Sequence, residues 1–182
     1  MMRRGTLIWI LIAFWLVAGI GFVAAAIRQK EHLNLSATAG GQMPYLVYAQ
    51  HVAKDGLFGH FGDRNRMPLV PVLASLIHGA DWNQFVNRAS LLSIALCLVL
   101  LAVMAVVAYR NLSPLLATAF ILIVAVAVFA PQASFLQADV AYYALFFCTW
   151  WAMSRLIERP TIVRAFTVGL LLGLTYLTKA SV

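Results

Sequence analysis

RASLLSIALCLVLLAVMAVVAYRN, residues 88–111, decides the fold class: between Arg88 and Arg110 no side chain carries a charge. A helix rises about 1.5 Å per residue, so roughly 20 apolar residues cross the hydrocarbon core of a bilayer. Reading outward, residues 6–27, 112–138, 140–154 and 165–178 are likewise uncharged. The runs at 6–27 and 112–138 are long enough as they stand. The run at 140–154 reaches length when Asp139 and Arg155 sit at its two interfaces. The last reaches length when counted from Thr161, with Arg164 snorkelling toward the headgroups. Backbone amides in lipid must bond internally, so all five runs are predicted to be helices. The expected fold is all-α and integral to a membrane, with about five transmembrane helices. Residues 1–182 form one membrane domain: a first span to residue 27, an outer loop over 28–88, and four further spans over 89–182.

Composition points the same way. Of 182 residues, 63% are hydrophobic and 10% charged, and the mean hydropathy is +0.89. Soluble domains are about half apolar and a quarter charged. An ordinary soluble enzyme, a disordered tail and a disulfide-stapled secreted module are therefore excluded. The net charge of +7 belongs to basic residues beside apolar runs, which fits anionic headgroups and the inside–outside charge rule and calls for no nucleic acid. Cys97 and Cys148 both lie in apolar runs, so no disulfide framework or thiol metal site is expected.

The N-terminus, Met1-Met2-Arg3-Arg4 before an apolar stretch and Ala24-Ala25-Ala26, also has the outline of a signal peptide. Its apolar stretch is longer than a typical h-region and contains Trp9 and Trp15, which favours an uncleaved span. Short-loop arginines (Arg110, Arg155, Arg159, Arg164) together with Arg3 and Arg4 place the N-terminus in the cytoplasm, in what is expected to be a bacterial inner membrane. Residues 28–88, the 131–139 turn and Lys179 then fall outside. Within 28–88, residues 42–56 and 67–78 have apolar side chains at helical spacing, stopped by Gly56 and Gly79. Both are too short to span and are expected as helices lying in the membrane interface. At the other end, residues 170–178 still run as a membrane helix, which predicts further spans beyond residue 182.

No phosphate-binding glycine loop, dinucleotide fingerprint, zinc-protease helix or nucleophile elbow occurs. His32, His51, His60 and His78 lack metal-ligand spacing and read as interfacial polar residues. Gly169 and Gly173 form a GxxxG pair that fits close helix packing. Two features remain. The first is Gly62-Asp63-Arg64-Asn65-Arg66-Met67-Pro68, where Arg64 and Arg66 offer forked donors to a lipid phosphate; the bland alternative is a surface turn. The second is Asp139, a carboxylate between apolar runs. It is either a functional group facing water, a partner or a divalent cation, or a helix N-cap, to which Asp is well suited.

These pieces together resemble the N-terminal part of the GT-C class of membrane glycosyltransferases, in the broad family of dolichyl-phosphate-mannose protein mannosyltransferases and bacterial aminoarabinose transferases (a family 39-like pattern). The residues that carry the likeness are Gln42-Met43-Pro44-Tyr45-Leu46-Val47-Tyr48-Ala49, the stretch 63–71, Leu136-Gln137-Ala138-Asp139, and Gly169 through Gly173 to Lys179. The resemblance implies transfer of a sugar from a polyprenyl-phosphate carrier to an acceptor on the outer face. It implies Asp139 or Asp63 as the catalytic carboxylate, and Arg64, Arg66, Asn65, Gln42, Tyr45 and Tyr48 as substrate-binding residues. The partners are a polyprenyl-phosphate-linked sugar and membrane lipids. No firm cofactor is called for, and a divalent cation at Asp139 stays open. The class generally keeps an acid just before the Gln-x-x-Tyr-Leu pattern, where this chain has Gly40-Gly41. That departure keeps a second reading alive: a non-catalytic multi-span protein, a transporter or a polyprenyl-lipid-binding assembly subunit.

Overall fold

The computed structural model describes residues 4–33, 39–56, 67–79 and 81–179. Among them every regular element is helical. The helices are α1 (Arg4–His32), α2 (Met43–Asp55), α3 (Leu69–Ser75), α4 (Trp82–Asn111), α5 (Pro114–Val124), α6 (Asp139–Glu158) and α7 (Ile162–Thr178). Three stretches are long and apolar enough to cross a membrane: Ile12–His32, Trp82–Asn111 and Pro114–Gln132. They mark the chain as a membrane protein. The expected count of five is not reached on this measure. Tyr142, Tyr143, Trp150 and Trp151, with charges at both ends, lower the hydropathy of α6, and α7 has only 17 residues.

Local sequence explains where the helices start and stop. Asp81 caps α4, its carboxylate accepting from the amides of Asn83 (3.3 Å) and Gln84 (3.0 Å). Pro114 opens α5, where its missing N–H leaves nothing unsatisfied. Thr161 Oγ1 accepts from the Arg164 amide at the start of α7. Gly56, with φ +78°, ends α2 as expected. After Val124 the chain winds into a wide π turn (Ala125–Phe129) and a 3-10 turn (Ala130–Gln132). Pro131 cannot donate to the carbonyl four residues back, and its ring crowds that carbonyl, so α-geometry cannot continue there.

Several boundaries differ from the sequence expectation. α1 continues past Ile27 to His32, and α4 begins at Trp82, before the uncharged run. α3 covers only Leu69–Ser75 of the expected 67–78.

The long helices alternate in direction. Gln29 near the end of α1 bonds to Pro131, and Trp15, earlier in α1, bonds to Tyr109 near the end of α4. Lys179 after α7 meets Asp139 at the start of α6. One end of the molecule thus carries the ends of α1 and α7 and the starts of α4 and α6. The other carries the ends of α4 and α6 and the start of α7.

Two cores result. The larger lies between α1, α4, α5 and α6 and buries Cys97, Met104, Ala117, Ile121, Phe129 and Ala144. In it Trp15 Nε1 donates to the Tyr109 hydroxyl at 2.8 Å, and the Tyr109 and Thr118 hydroxyls share a 2.6 Å hydrogen bond. The smaller core lies at the Lys179 end, where Leu46 and Ala49 of α2 and Val70 and Ala74 of α3 close over Phe85, Ala89 and Leu136. These two short helices cover the first turns of α4. Small residues let them approach closely, and Ala49, Ala74 and Ala89 are fully buried.

Candidate functional site

The Lys179 end is organised around the turn at residues 131–138. Gln29 from α1 grips it twice. Its Nε2 donates to the Pro131 carbonyl at 2.9 Å, and its Oε1 accepts from the Ser134 amide and hydroxyl at 3.3 and 3.0 Å. Ser93 of α4 donates to the Phe135 carbonyl at 2.8 Å. Gln42, just before α2 and fully buried, accepts the Leu136 amide at 3.2 Å. Three separate segments therefore satisfy backbone groups of one turn. A buried amide without a partner costs about 1–3 kcal/mol, so these side chains fix where the turn lies and hence where Asp139 starts α6.

Asp139 is the first residue of α6. The N-cap position belongs to Ala138, which has no side-chain cap. Asp139 is thus not the N-cap residue itself but sits in the first turn, where the helix dipole favours a carboxylate, and it pairs with Lys179 across the α6–α7 hairpin. Both side chains keep contact with solvent. The Lys179 ammonium lies 5.9 Å from the centroid of the Tyr142 ring, a cation–π distance. The hydrogen bond to Asp139 holds the Lys179 ammonium above its ordinary range against the opposing effect of burial.

The turn also explains the two glycines that precede Gln42. Gly40 has φ +61°, and a Cβ there would lie 2.5 Å from Cγ of Phe135. No side chain fits at residue 40 while that ring is in place. Gly41, at φ +71°, is less crowded, with only the Gln137 amide 3.9 Å from a Cβ.

Of the residues singled out in the sequence, Gln42, Tyr45 and Asp139 come together at this end. Tyr48 is buried in α2, three residues beyond Tyr45. Asp63, Arg64, Asn65 and Arg66 lie outside the described residues. Lys179, Gln29 and Ser93 were missed. For Lys179 the signal was present: two antiparallel helices joined by a short loop bring the start of one level with the end of the next. Gln29 and Ser93 gave no signal, because each is a common polar residue bonding to backbone far away in sequence. Among the described residues no group of three His, Cys, Asp or Glu side chains is placed to hold a metal.

The opposite end is built differently. Arg155 donates to Asn111 of α4 and to Glu158 (3.1 Å), and Arg164 donates through Nη1 to the carbonyls of Arg155 and Arg159, both at 2.8 Å. There Arg164 satisfies carbonyls at the C-terminus of α6.

Comparison with protein-family models, with curated proteins and with solved structures gave no match.

Proposed function

We propose that this chain acts as, or within, a GT-C-like glycosyltransferase that takes a sugar from a polyprenyl-phosphate carrier at the Lys179 end. One observation supports the reading above the others. Three segments that carry the resemblance, around Gln42, Asp139 and Lys179, lie far apart in sequence and meet at one end of the bundle. On this reading all five long helices cross the membrane, and the Lys179 end faces outward from a bacterial inner membrane. Arg64 and Arg66 contact the carrier phosphate. Asp139 accepts the proton of the acceptor hydroxyl as that oxygen attacks the anomeric carbon, and the polyprenyl phosphate departs with the bonding electrons of the broken C–O bond. Lys179 offers a positive charge to that phosphate. Donor binding would draw Lys179 off Asp139 and leave the carboxylate free to act.

The test is sugar transfer from a polyprenyl-phosphate donor by the parent, Asp139→Asn and Lys179→Met proteins at matched expression and melting temperature. The expected fall for Asp139→Asn is roughly a hundredfold or more, the scale of general acid–base contributions. Near-parental turnover of Asp139→Asn would remove Asp139 from the chemistry and leave Asp63 in its place.

One observation favours the second reading, a non-catalytic protein that binds polyprenyl lipid. The Gly40–Phe135 contact fills the place of the loop acid, and Asp139 is already neutralised by Lys179. Donor binding without turnover, unchanged in Asp139→Asn, is the outcome that reading requires.

A further inference from the structure

At the end opposite Lys179, a cavity of about 360 Å³ opens between the end of α4, the end of α6 and the start of α7. Arg110, Trp151, Ala152, Arg155, Arg164 and Thr167 line it. Three arginines on three helices converge on one space, and the nearest acid, Glu158, is engaged by Arg155.

The donors there are not all used. Arg155 is committed to Asn111 and Glu158 and stacks 5.9 Å over the Trp151 ring. Arg164 spends Nη1 on two carbonyls, and its other side-chain nitrogens bond to no described residue. The Arg110 side chain, in the last turn of α4, makes no hydrogen bond or ion pair with any described residue. The Trp151 indole N–H is buried with no acceptor, which is a costly state for a donor. A space lined by forked cationic donors, one of whose lining side chains carries an orphan N–H, is complementary to a compact oxyanion with several acceptor oxygens.

We propose that this cavity binds the phosphate of an anionic phospholipid, with Arg110 and Arg164 as its principal cations and Trp151 as a neutral donor. The shared chemistry is a phosphate ester. The surroundings favour the lipid as its source. Ile157, Ile162, Val163 and Phe166, on the helix ends beside the cavity, are each more than 70% exposed. A soluble phosphate has no use for such flanks, whereas acyl chains running from a bound headgroup would cover them. The site is independent of the proposed transferase reading, since it shares no residue with the Lys179 end.

Native mass spectrometry of the chain in neutral detergent, titrated with dioleoyl-phosphatidylglycerol, tests the assignment. The expected result is a one-to-one adduct whose affinity falls roughly tenfold in Arg110→Gln, recovers largely in Arg110→Lys, and falls severalfold in Trp151→Phe. Dioleoyl-phosphatidylcholine should bind more weakly and ignore Arg110→Gln. Inorganic phosphate and glycerol phosphate at millimolar concentration should not displace the phosphatidylglycerol. Equal binding of the two lipids with no effect of either Arg110→Gln or Trp151→Phe would overturn the site. Displacement by glycerol phosphate at micromolar concentration would overturn the lipid as occupant. Circular dichroism confirms that each variant keeps the parental helix content, and Trp151→Phe decides the matter should Arg110→Gln fail to fold.

Discussion

The two ends of the bundle solve the same problem with different chemistry. Each must satisfy backbone groups where helices stop and the chain turns. At the Lys179 end neutral side chains do it: Gln29, Gln42 and Ser93 bond to one turn, and the charges of Asp139 and Lys179 cancel. At the Arg155 end cations do it, with Arg155 and Arg164 bonding to an amide oxygen and to carbonyls, while Arg110 and Arg159 add further positive charge against Glu158 alone. Amides hold a turn in place without attracting ions, whereas a surplus of guanidinium groups holds the chain and draws anions. The backbone of the first end is thus held by neutral groups and that of the second by cations.

The largest effect expected from this contrast is all-or-none. Asn83 lies at the Lys179 end and Arg159 at the Arg155 end, and both are exposed. In whole cells and in a Cys148→Ser background, an impermeant maleimide should label Asn83→Cys without permeabilisation and Arg159→Cys only after it, with Cys97 buried and silent. The reverse pattern would invert the orientation, and labelling of both from one side would break the alternation of the helices.

Next in size is Gly40→Ala. It sets a β-carbon against the Phe135 ring and puts a non-glycine residue at φ +61°. The backbone alone accounts for about 1–2 kcal/mol, and the clash adds to it. Gly41→Ala carries the backbone strain without the clash and should lose less. Unfolding in mixed micelles measures both, and equal losses would mean that Phe135 swings aside freely.

Gln42→Leu should then cost about 1–3 kcal/mol, because it strips the acceptor from the buried Leu136 amide. Glu in place of Gln keeps the acceptor but buries a charge, so it should not rescue. A loss under a few tenths would show that the turn is held by Gln29 and Ser93 alone.

The smallest effect belongs to Lys179→Met. A solvent-exposed ion pair contributes about 1 kcal/mol or less. Its pH signature is more telling than its size. Lys179 titrates above its ordinary value of 10.5 in the folded chain, so its contribution is complete below that value and is lost as pH rises through the folded one. Parental stability should therefore decline in that alkaline window more steeply than that of Lys179→Met. Parallel curves would mean that the pair contributes nothing.

Charge-free runs located the long helices because nothing else in a chain this apolar competes with them. Gly56 located the end of α2, since few other residues take its backbone angles. The extra turns of α4 were hidden. Residues 82–88 carry Asn83, Gln84, Asn87 and Arg88, and the apolar face of Phe85, Val86 and Ala89 becomes evident only when α2 and α3 cover it. At the site, Asp139 stood out because it is a lone acid among apolar neighbours. The fold revealed its partner Lys179, which sits 40 residues away. Gln42 was named for a motif, and its bond to an amide 94 residues away could not be read from any local pattern.

The hydroxyls shared by α1, α4 and α5 have one further property. An indole nitrogen can only donate, so the Tyr109 oxygen must accept from Trp15. With Thr118 Oγ1 giving its proton to the Pro114 carbonyl at 2.8 Å, the proton between Tyr109 and Thr118 comes from tyrosine. Both ends of the relay are therefore fixed, and the three protons point one way along it, from α1 through α4 to α5. No mirror arrangement exists for it to fluctuate into. The junction is a wire with a permanent polarity, set by which atoms close its two ends.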